Sequence, residues 1–364
     1  MFFMLSYQEQ AEELEEELRT TKYNKATQHH IGLLKAKLAR LREKREGAGG
    51  KKGQGYSVRK AGDATVILAG FPSVGKSTIL NKITNAESKV ADYAFTTLTV
   101  IPGVMDYNHA KIQVLDVPGL IKGAASGAGM GKEVMSVIRS SDLVVFVTEP
   151  FSLKQVEVLK DELYKAGIRI DTEPPNVKIK RAERGGVDLA STVMLTKIDR
   201  ETVEGILKEF SFNNASVVIR EDVSAERFID AVQGNKVYVA SLVVVNKADM
   251  ANDKQLKLVR RTCPDALIMS AKNDNPEKLK RAIFEKLKLM RVFMKQAGKK
   301  ADMEVPLIVK QGSTIGDVCN RLHRDFTRRF RNAKVWGQSA KFPGQVLHGS
   351  HVLMDKDVVQ INLR

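Results

Sequence analysis

The residues Gly70-Phe71-Pro72-Ser73-Val74-Gly75-Lys76-Ser77 fit the spacing G-x-x-x-x-G-K-[ST]. Two glycines let the backbone turn its amides toward a phosphate. Lys76 supplies a point charge for the β- and γ-phosphates, and Ser77 offers an oxygen to Mg²⁺. Pro72, Ser73, Val74 and Thr78 complete the loop and the first turn behind it. The chemistry needs a strand before the loop and a helix after it, because the helix N-terminus adds its positive end. Residues 65–69 and 77–85 carry those two patterns, so the motif predicts a nucleoside triphosphate site.

A second motif selects the base. Asn246-Lys247-Ala248-Asp249 follows the apolar run 239–245. An aspartate at a strand end can accept hydrogen bonds from guanine N1 and N2. Adenine has no such donor pair, so the wrong base leaves polar groups unpaired. The stem of Lys247 can cover the base, and Asn246 can tie neighbouring loops together. Ser270-Ala271-Lys272, behind the next apolar run, reads as the loop that brings a backbone amide to guanine O6.

Asp116-Val117-Pro118-Gly119 follows a buried-type run at 112–115. Asp116 is placed to hold Mg²⁺ through its water shell, and the Gly119 amide to sense the γ-phosphate. Between this motif and the phosphate loop lies Phe95-Thr96-Thr97. A threonine there can ligate Mg²⁺ with GTP bound and release it afterwards; either of the adjacent pair satisfies the pattern. Gly123, Gly127, Gly129 and Gly131 predict a second mobile switch. Leu120 stands where many small GTPases keep a water-orienting glutamine. A leucine holds no water, so intrinsic hydrolysis is expected to be slow. Among the side chains and amides on offer, catalysis falls to Lys76, one threonine of the Thr96-Thr97 pair and Gly119.

These motifs need a parallel sheet to present them. Strand-like runs at 65–69, 112–115, 143–147, 193–195, 239–245 and 266–269 alternate with helical patterns at 77–85, 131–140, 154–166 and 253–261. That rhythm predicts an α/β fold. It is interrupted between 167 and 238, where a small inserted α+β unit is expected, with a strand at 217–220 and a helix at 225–232. Residues 6–46 read as a helical hairpin broken near 20–28, and the glycine-rich stretch 47–55 as a linker. The expected parts are a helical region and linker at 1–60, a nucleotide-binding domain at 61–166 and 239–300, the insert at 167–238, and a β-grasp-like domain at 301–364. A long basic helix is expected over 277–300 and an arginine-rich one over 315–331. Trp336 is read as a core residue of the last domain, and His29-His30 carries no metal-site spacing.

The chain has 364 residues and a formal charge of +16, which favours a polyanionic partner such as RNA or the ribosome. The basic run 277–300 and Arg324, Arg328, Arg329 and Arg331 are the expected phosphate contacts. Two cysteines exclude a disulfide framework. No window approaches 18 uninterrupted apolar residues, and residues 1–5 lack the flank of a signal peptide. A cytoplasmic protein with no membrane contact and no DNA specificity is expected.

The phosphate loop, the run Ala91-Asp92-Tyr93-Ala94-Phe95-Thr96-Thr97-Leu98-Thr99, the stretch from Asp116 to Gly131 and the helical segment from Thr21 to Lys37 together resemble the developmentally regulated GTP-binding proteins within the Obg-like GTPases. The resemblance spans almost the whole chain. It implies an N-terminal helix-turn-helix region, a G domain, an insert related to a ribosomal-protein fold and a C-terminal TGS domain. It implies that Thr97 is the Mg²⁺-binding threonine and that Leu120 is the family's apolar replacement for glutamine. Potassium stimulation occurs among relatives, but those with a strong potassium site often have Asn where this chain has Ser73. Ribosome association is implied, and a stabilising partner protein for eukaryotic members. The expected activity is Mg²⁺-dependent hydrolysis of GTP to GDP and phosphate in a translational switch; the alternative is a nucleotide-gated RNA-binding scaffold with negligible hydrolysis.

Overall fold

A computed structural model describes residues 7–47, 62–84, 101–117 and 131–364. Thr96, Thr97, Gly119, Leu120 and the linker residues beyond Gly47 lie outside the described residues. The chain divides into two compact units: residues 1–55 with 172–238, and residues 56–171 with 239–364.

The first unit begins with α1 (Tyr7–Thr20) and α2 (Gln28–Gly47). The turn between them is closed reciprocally. The Thr27 N–H donates to Asn24 Oδ1 at 2.9 Å, and the Asn24 N–H donates to Thr27 Oγ1 at 3.0 Å. Arg42 and Glu15 bridge the two helices at 2.7 Å.

The second unit is built on a seven-stranded sheet. Its elements are β1 (Ala64–Ala69), α3 (Lys76–Ile83), β2 (Ile101–Tyr107), β3 (Ala110–Asp116), α4 (Gly131–Arg139), β4 (Leu143–Thr148), α5 (Lys154–Lys165) and β5 (Ile168–Ile170). The chain then leaves for the first unit, forming β6 (Val177–Arg181), β7 (Val187–Ser191), α6 (Arg200–Glu209), β8 (Ala215–Ile219) and α7 (Ala225–Gln233). It returns through β9 (Val237–Val245), α8 (Asp253–Thr262), β10 (Leu267–Ile268) and α9 (Glu277–Lys286). The strand order is β10-β9-β4-β1-β3-β2, with β5 paired to β9. All pairs along this path are parallel except β2 with β3. That pair is a hairpin whose turn residues Asn108 and His109 both have positive φ, 49° and 67°, matching the twist of the strands. Every residue of β1 and of β4 is buried, as strands covered on both faces must be.

In the first unit β6, β8 and β7 form a three-stranded sheet in that order. Its core includes Val203, Ile206, Phe228 and Ile229 from the two helices behind it and Ala36 from α2. Helices α2 and α6 approach closely at Gly32 and Gly205. A Cβ on Gly32 would meet Thr202 Cγ2 at 2.6 Å, and one on Gly205 would meet Leu33 Cδ2 at 2.7 Å. The N-terminal hairpin and the insert therefore share one core.

The C-terminal elements are β11 (Leu289–Met294), β12 (Leu307–Lys310), α10 (Ile315–Leu322), α11 (Arg324–Arg329), β13 (Phe330–Trp336), β14 (Gln345–Leu347) and β15 (Asp357–Leu363), with sheet order β12-β11-β15-β13-β14.

Several expected elements differ. The basic helix ends at Lys286; Lys288 takes φ 51°, and residues 289–294 become β11. The helical stripe continued into a segment whose pairing with both β12 and β15 outweighs it. Residues 289–300 thus begin the third sheet and do not end the G domain. Residues 168–170 pair with β9 and stay with the main sheet. The helix expected over 315–331 breaks at His323, which is extended at φ −165° and whose Nδ1 accepts the Asp325 N–H. Residues 193–195 are not a strand: Met194 is 84% exposed, and Asp222 gathers the Thr196 N–H and hydroxyl into a polar turn.

Candidate nucleotide-binding site

In a parallel sheet the C-terminal strand ends gather along one edge, where ligands bind. Strands β3, β1, β4, β9 and β10 are successive neighbours. Their ends lead into Asp116, the phosphate loop, Glu149, the Asn246–Asp249 segment and the Ser270–Lys272 segment. Motifs separated by up to about 200 residues of sequence meet there because the strands do.

The phosphate loop holds conformations that its residues dictate. Ser73 has φ 65° and Gly75 φ 92°. A side chain at Gly75 would strike Asn246 Nδ2, and one at Gly70 would strike the Val147 carbonyl. The Lys76 ammonium donates to the carbonyls of Gly70 and Phe71, both at 3.0 Å, so it is folded back over the loop. Burial lowers its pKa, and the nearby Asp116 carboxylate works against that. The Ser77 hydroxyl donates to Asp116 Oδ2 at 2.7 Å. This hydroxyl and carboxylate are hard oxygen donors brought together behind the loop, a set that suits Mg²⁺. Pro72 and Val74 lie in the loop, Val74 buried, and Thr78 is exposed on α3.

The base side is tied to the phosphate side by Asn246, a buried side chain. Its Nδ2 donates to the Val74 carbonyl at 2.9 Å, and its Oδ1 accepts the Ala271 N–H at 2.8 Å. One amide thereby fixes three loops. The Lys247 ammonium donates to the Ser73 carbonyl at 2.7 Å and pairs with Glu149. Lys247 itself has φ 59° and Ala248 N–H donates to the Met269 carbonyl at 3.2 Å. Asp249 is held below the usual aspartate range, chiefly by a hydrogen bond from the Ser270 hydroxyl, with burial opposing and Lys272 and Lys247 adding attraction. The ionised form of its carboxylate is thereby favoured. The Lys272 carbonyl takes a hydrogen bond from Lys82 at 3.0 Å, joining this loop to α3.

Glu149 escaped the sequence reading. It is a carboxylate directly after the apolar run of β4 and before Pro150. That signal marks a strand end, but only the adjacency of β4 and β9 shows which lysine it meets.

A phosphate loop, a strand-end aspartate and a base-side loop on a parallel α/β sheet define a P-loop GTP-binding protein. Family profiles and sequence relatives agree. The profile described as "50S ribosome-binding GTPase" matches residues 65–180, and the "C-terminal region" of the same domain matches 184–289. A TGS domain matches 290–362, which begins at β11. An uncharacterized GTP-binding protein of Methanocaldococcus jannaschii is 51% identical, over 99% of this chain and 94% of that one. Developmentally-regulated GTP-binding protein 1 of Xenopus laevis is 39% identical, over 96% of this chain and 97% of that one. A solved GTP binding protein from Pyrococcus horikoshii OT3 aligns with a TM-score of 0.44 and 15% identity, over 82% of this chain and 100% of that one. The chain belongs to the developmentally regulated GTP-binding protein family, within the P-loop GTPases with a TGS domain.

Among the described residues no helix is long and apolar enough to cross a membrane.

Proposed function

We propose that the protein hydrolyses GTP to GDP and phosphate at this site, slowly, as a switch acting on the ribosome or structured RNA. The observation that carries the reading is the three-loop junction at Asn246, which sets an ionised Asp249 and the phosphate loop in one frame. Asp249 accepts from the guanine edge, and the Lys247 stem, held by Glu149 and the Ser73 carbonyl, flanks the base. On binding, Lys76 exchanges its two loop carbonyls for phosphate oxygens. Ser77 and Asp116 would hold Mg²⁺, Asp116 through its hydration water, and the ion would neutralise charge on the β- and γ-phosphates. Thr97 and the Gly119 amide complete the γ-phosphate contacts on the sequence reading. Leu120 in the glutamine position leaves the attacking water without a side-chain partner, which supports a slow rate and a stimulating partner. The +16 charge supports a polyanionic partner.

The test is a titration of GTP and ATP against wild type and Asp249→Ala, followed by single-turnover hydrolysis with and without ribosomes. GTP is expected to bind at least about a hundredfold more tightly than ATP in the wild type only, since a lost polar pairing discriminates strongly. Equal affinity for the two nucleotides sinks the guanine assignment. No phosphate release under either condition leaves the nucleotide-gated scaffold.

A further inference from the structure

Most backbone amides of the segment from Ser270 to Asp274 are satisfied within the protein. The Ser270 N–H donates to Asp274 Oδ2 at 2.9 Å, and the Ala271 N–H to Asn246 Oδ1 at 2.8 Å. The Asn273 N–H donates to the Ser270 carbonyl at 3.2 Å, and the Asp274 N–H to the same carbonyl at 2.8 Å. The Lys272 N–H alone has no acceptor among the described residues. It is the donor that this loop still has to give.

That amide stands beside a carboxylate. Lys272 follows Ser270 by two positions, and the Ser270 hydroxyl donates to Asp249. A free N–H and an acceptor carboxylate therefore share one loop junction. Guanine presents the complementary edge, with O6 to accept and N1 and N2 to donate.

The free amide is bracketed by two anchors. Asn246 holds the N–H before it, at Ala271, and Lys82 holds the carbonyl after it, at Lys272, with its ammonium donating at 3.0 Å. No carboxylate pairs with Lys82 among the described residues. A lysine kept only for solubility would leave its head in water, and fixing it on a carbonyl costs rotamer freedom. The turn needs the anchor on this side, because its closing bond from the Asn273 N–H is long, 3.2 Å to the Ser270 carbonyl and 3.3 Å to the hydroxyl. The helix gives Lys82 a firm base. Lys82 lies in the last turn of α3, and Ile79, Leu80 and Ile83 of that helix share a core with Met269 and Ala271. The first turn of the same helix carries Lys76, so one rigid element serves the phosphate end and the base end. We propose that Lys82 is a positioning residue for guanine selection: by holding the Lys272 carbonyl from α3, it keeps the Lys272 N–H aimed at the base oxygen O6. This rests on the reading of the site as a guanine pocket.

The test changes the lysine and the base oxygen together. Binding of GDP, inosine diphosphate and 6-thioguanosine diphosphate to the full-length, nucleotide-free protein is measured by calorimetry. Inosine keeps O6 and lacks the 2-amino group; the thio analogue keeps both N–H donors and replaces O6 with sulfur. Lys82→Met keeps the stem and removes the donor. It should weaken GDP and inosine diphosphate alike by about three- to tenfold, the range of one charge-assisted contact partly open to water. It should leave 6-thioguanosine diphosphate nearly unmoved, because sulfur is a weak acceptor and draws little on the amide. Lys82→Gln, too short to reach the carbonyl, should reproduce the pattern. Equal losses on all three nucleotides would make Lys82 a structural residue of α3 and overturn the proposal, as would wild-type GDP affinity in Lys82→Met. ADP keeps the two readings apart. If the wild type binds GDP no better than ADP, the guanine pocket itself is lost; if it selects GDP and the thio analogue weakens with the others, only the role of Lys82 is lost.

Discussion

At the scale of single residues, the site depends on side chains that never need to touch nucleotide. Asn246 is the clearest. Replacing it with Ala strips partners from the Val74 carbonyl and the Ala271 N–H, both of which it satisfies in a buried setting. Two unmet backbone groups should cost about 2–4 kcal/mol, read as a lower denaturation midpoint of the nucleotide-free protein. Glu149 acts differently. It pairs with Lys247, which also grips the Ser73 carbonyl, so it steadies the loop that walls the base pocket in the proposed function. Glu149→Ala should raise the rate of GDP release about three- to tenfold, the range of one charge-assisted contact that is partly open to water. In a Lys247→Met background the same change should have no further effect. Additive losses would show that Glu149 works by another route.

At the scale of elements, local rules decide where helices begin. Helix α10 starts with a capping box: the Asp317 N–H donates to Thr314 Oγ1 at 3.2 Å, and Asp317 Oδ2 accepts from the Thr314 N–H at 2.8 Å. Thr314→Ala should destabilise the C-terminal domain by about 1 kcal/mol, measured by chemical denaturation. The cap also predicts a pH profile. Hydrogen bonds from the Thr314 backbone and hydroxyl lower the pKa of Asp317 in the folded state. A lowered folded value means that the contribution is complete above the unfolded aspartate pKa of about 3.9 and disappears as pH falls through the folded value. The difference between wild type and Asp317→Asn should hence be constant from neutral pH down to about 4 and shrink below it. A difference that grows on acidification would contradict the cap.

The start of this helix at 315 was legible in the sequence, though not its cap, and so were the strands that lead into nucleotide motifs. The basic stretch 277–300 was not. Its apolar spacing fits a helix throughout, yet it is split into α9 and β11, because residues 289–294 complete a sheet whose other strands come 13 to 74 positions later. Periodicity reports what a segment would do alone, and non-local pairing overrides it. Strand β7 was missed for the opposite reason: its exposed positions alternate too weakly to stand out.

At the scale of the whole molecule, the first unit is assembled from segments far apart in sequence. Helix α2 lies on α6 and α7, with Lys35 paired to Glu226 at 2.6 Å and Arg40 to Glu209 at 3.2 Å. Deleting residues 1–47 should uncover the apolar side of α6 and α7. The insert would then lose its cooperative unfolding and gain dye-binding apolar surface, as calorimetry and a hydrophobic dye would report. An insert that melts unchanged would show that it folds without the hairpin.

The sequence by itself determined the nucleotide motifs. Gly70 to Ser77 and Asn246 to Asp249 carry a phosphate loop and a guanine-type aspartate in their spacing, because backbone turns and strand ends impose local patterns. It also determined the parallel α/β class, since buried strands alternate with amphipathic helices. Only the tertiary structure decided that Glu149 meets Lys247, that the N-terminal hairpin shares the core of the insert, and that Trp336 is only partly buried beneath Lys295. Each of those rests on which strands and helices become neighbours. Adjacency of that kind is settled by burial and register summed over the whole chain, and no single stretch of sequence contains it.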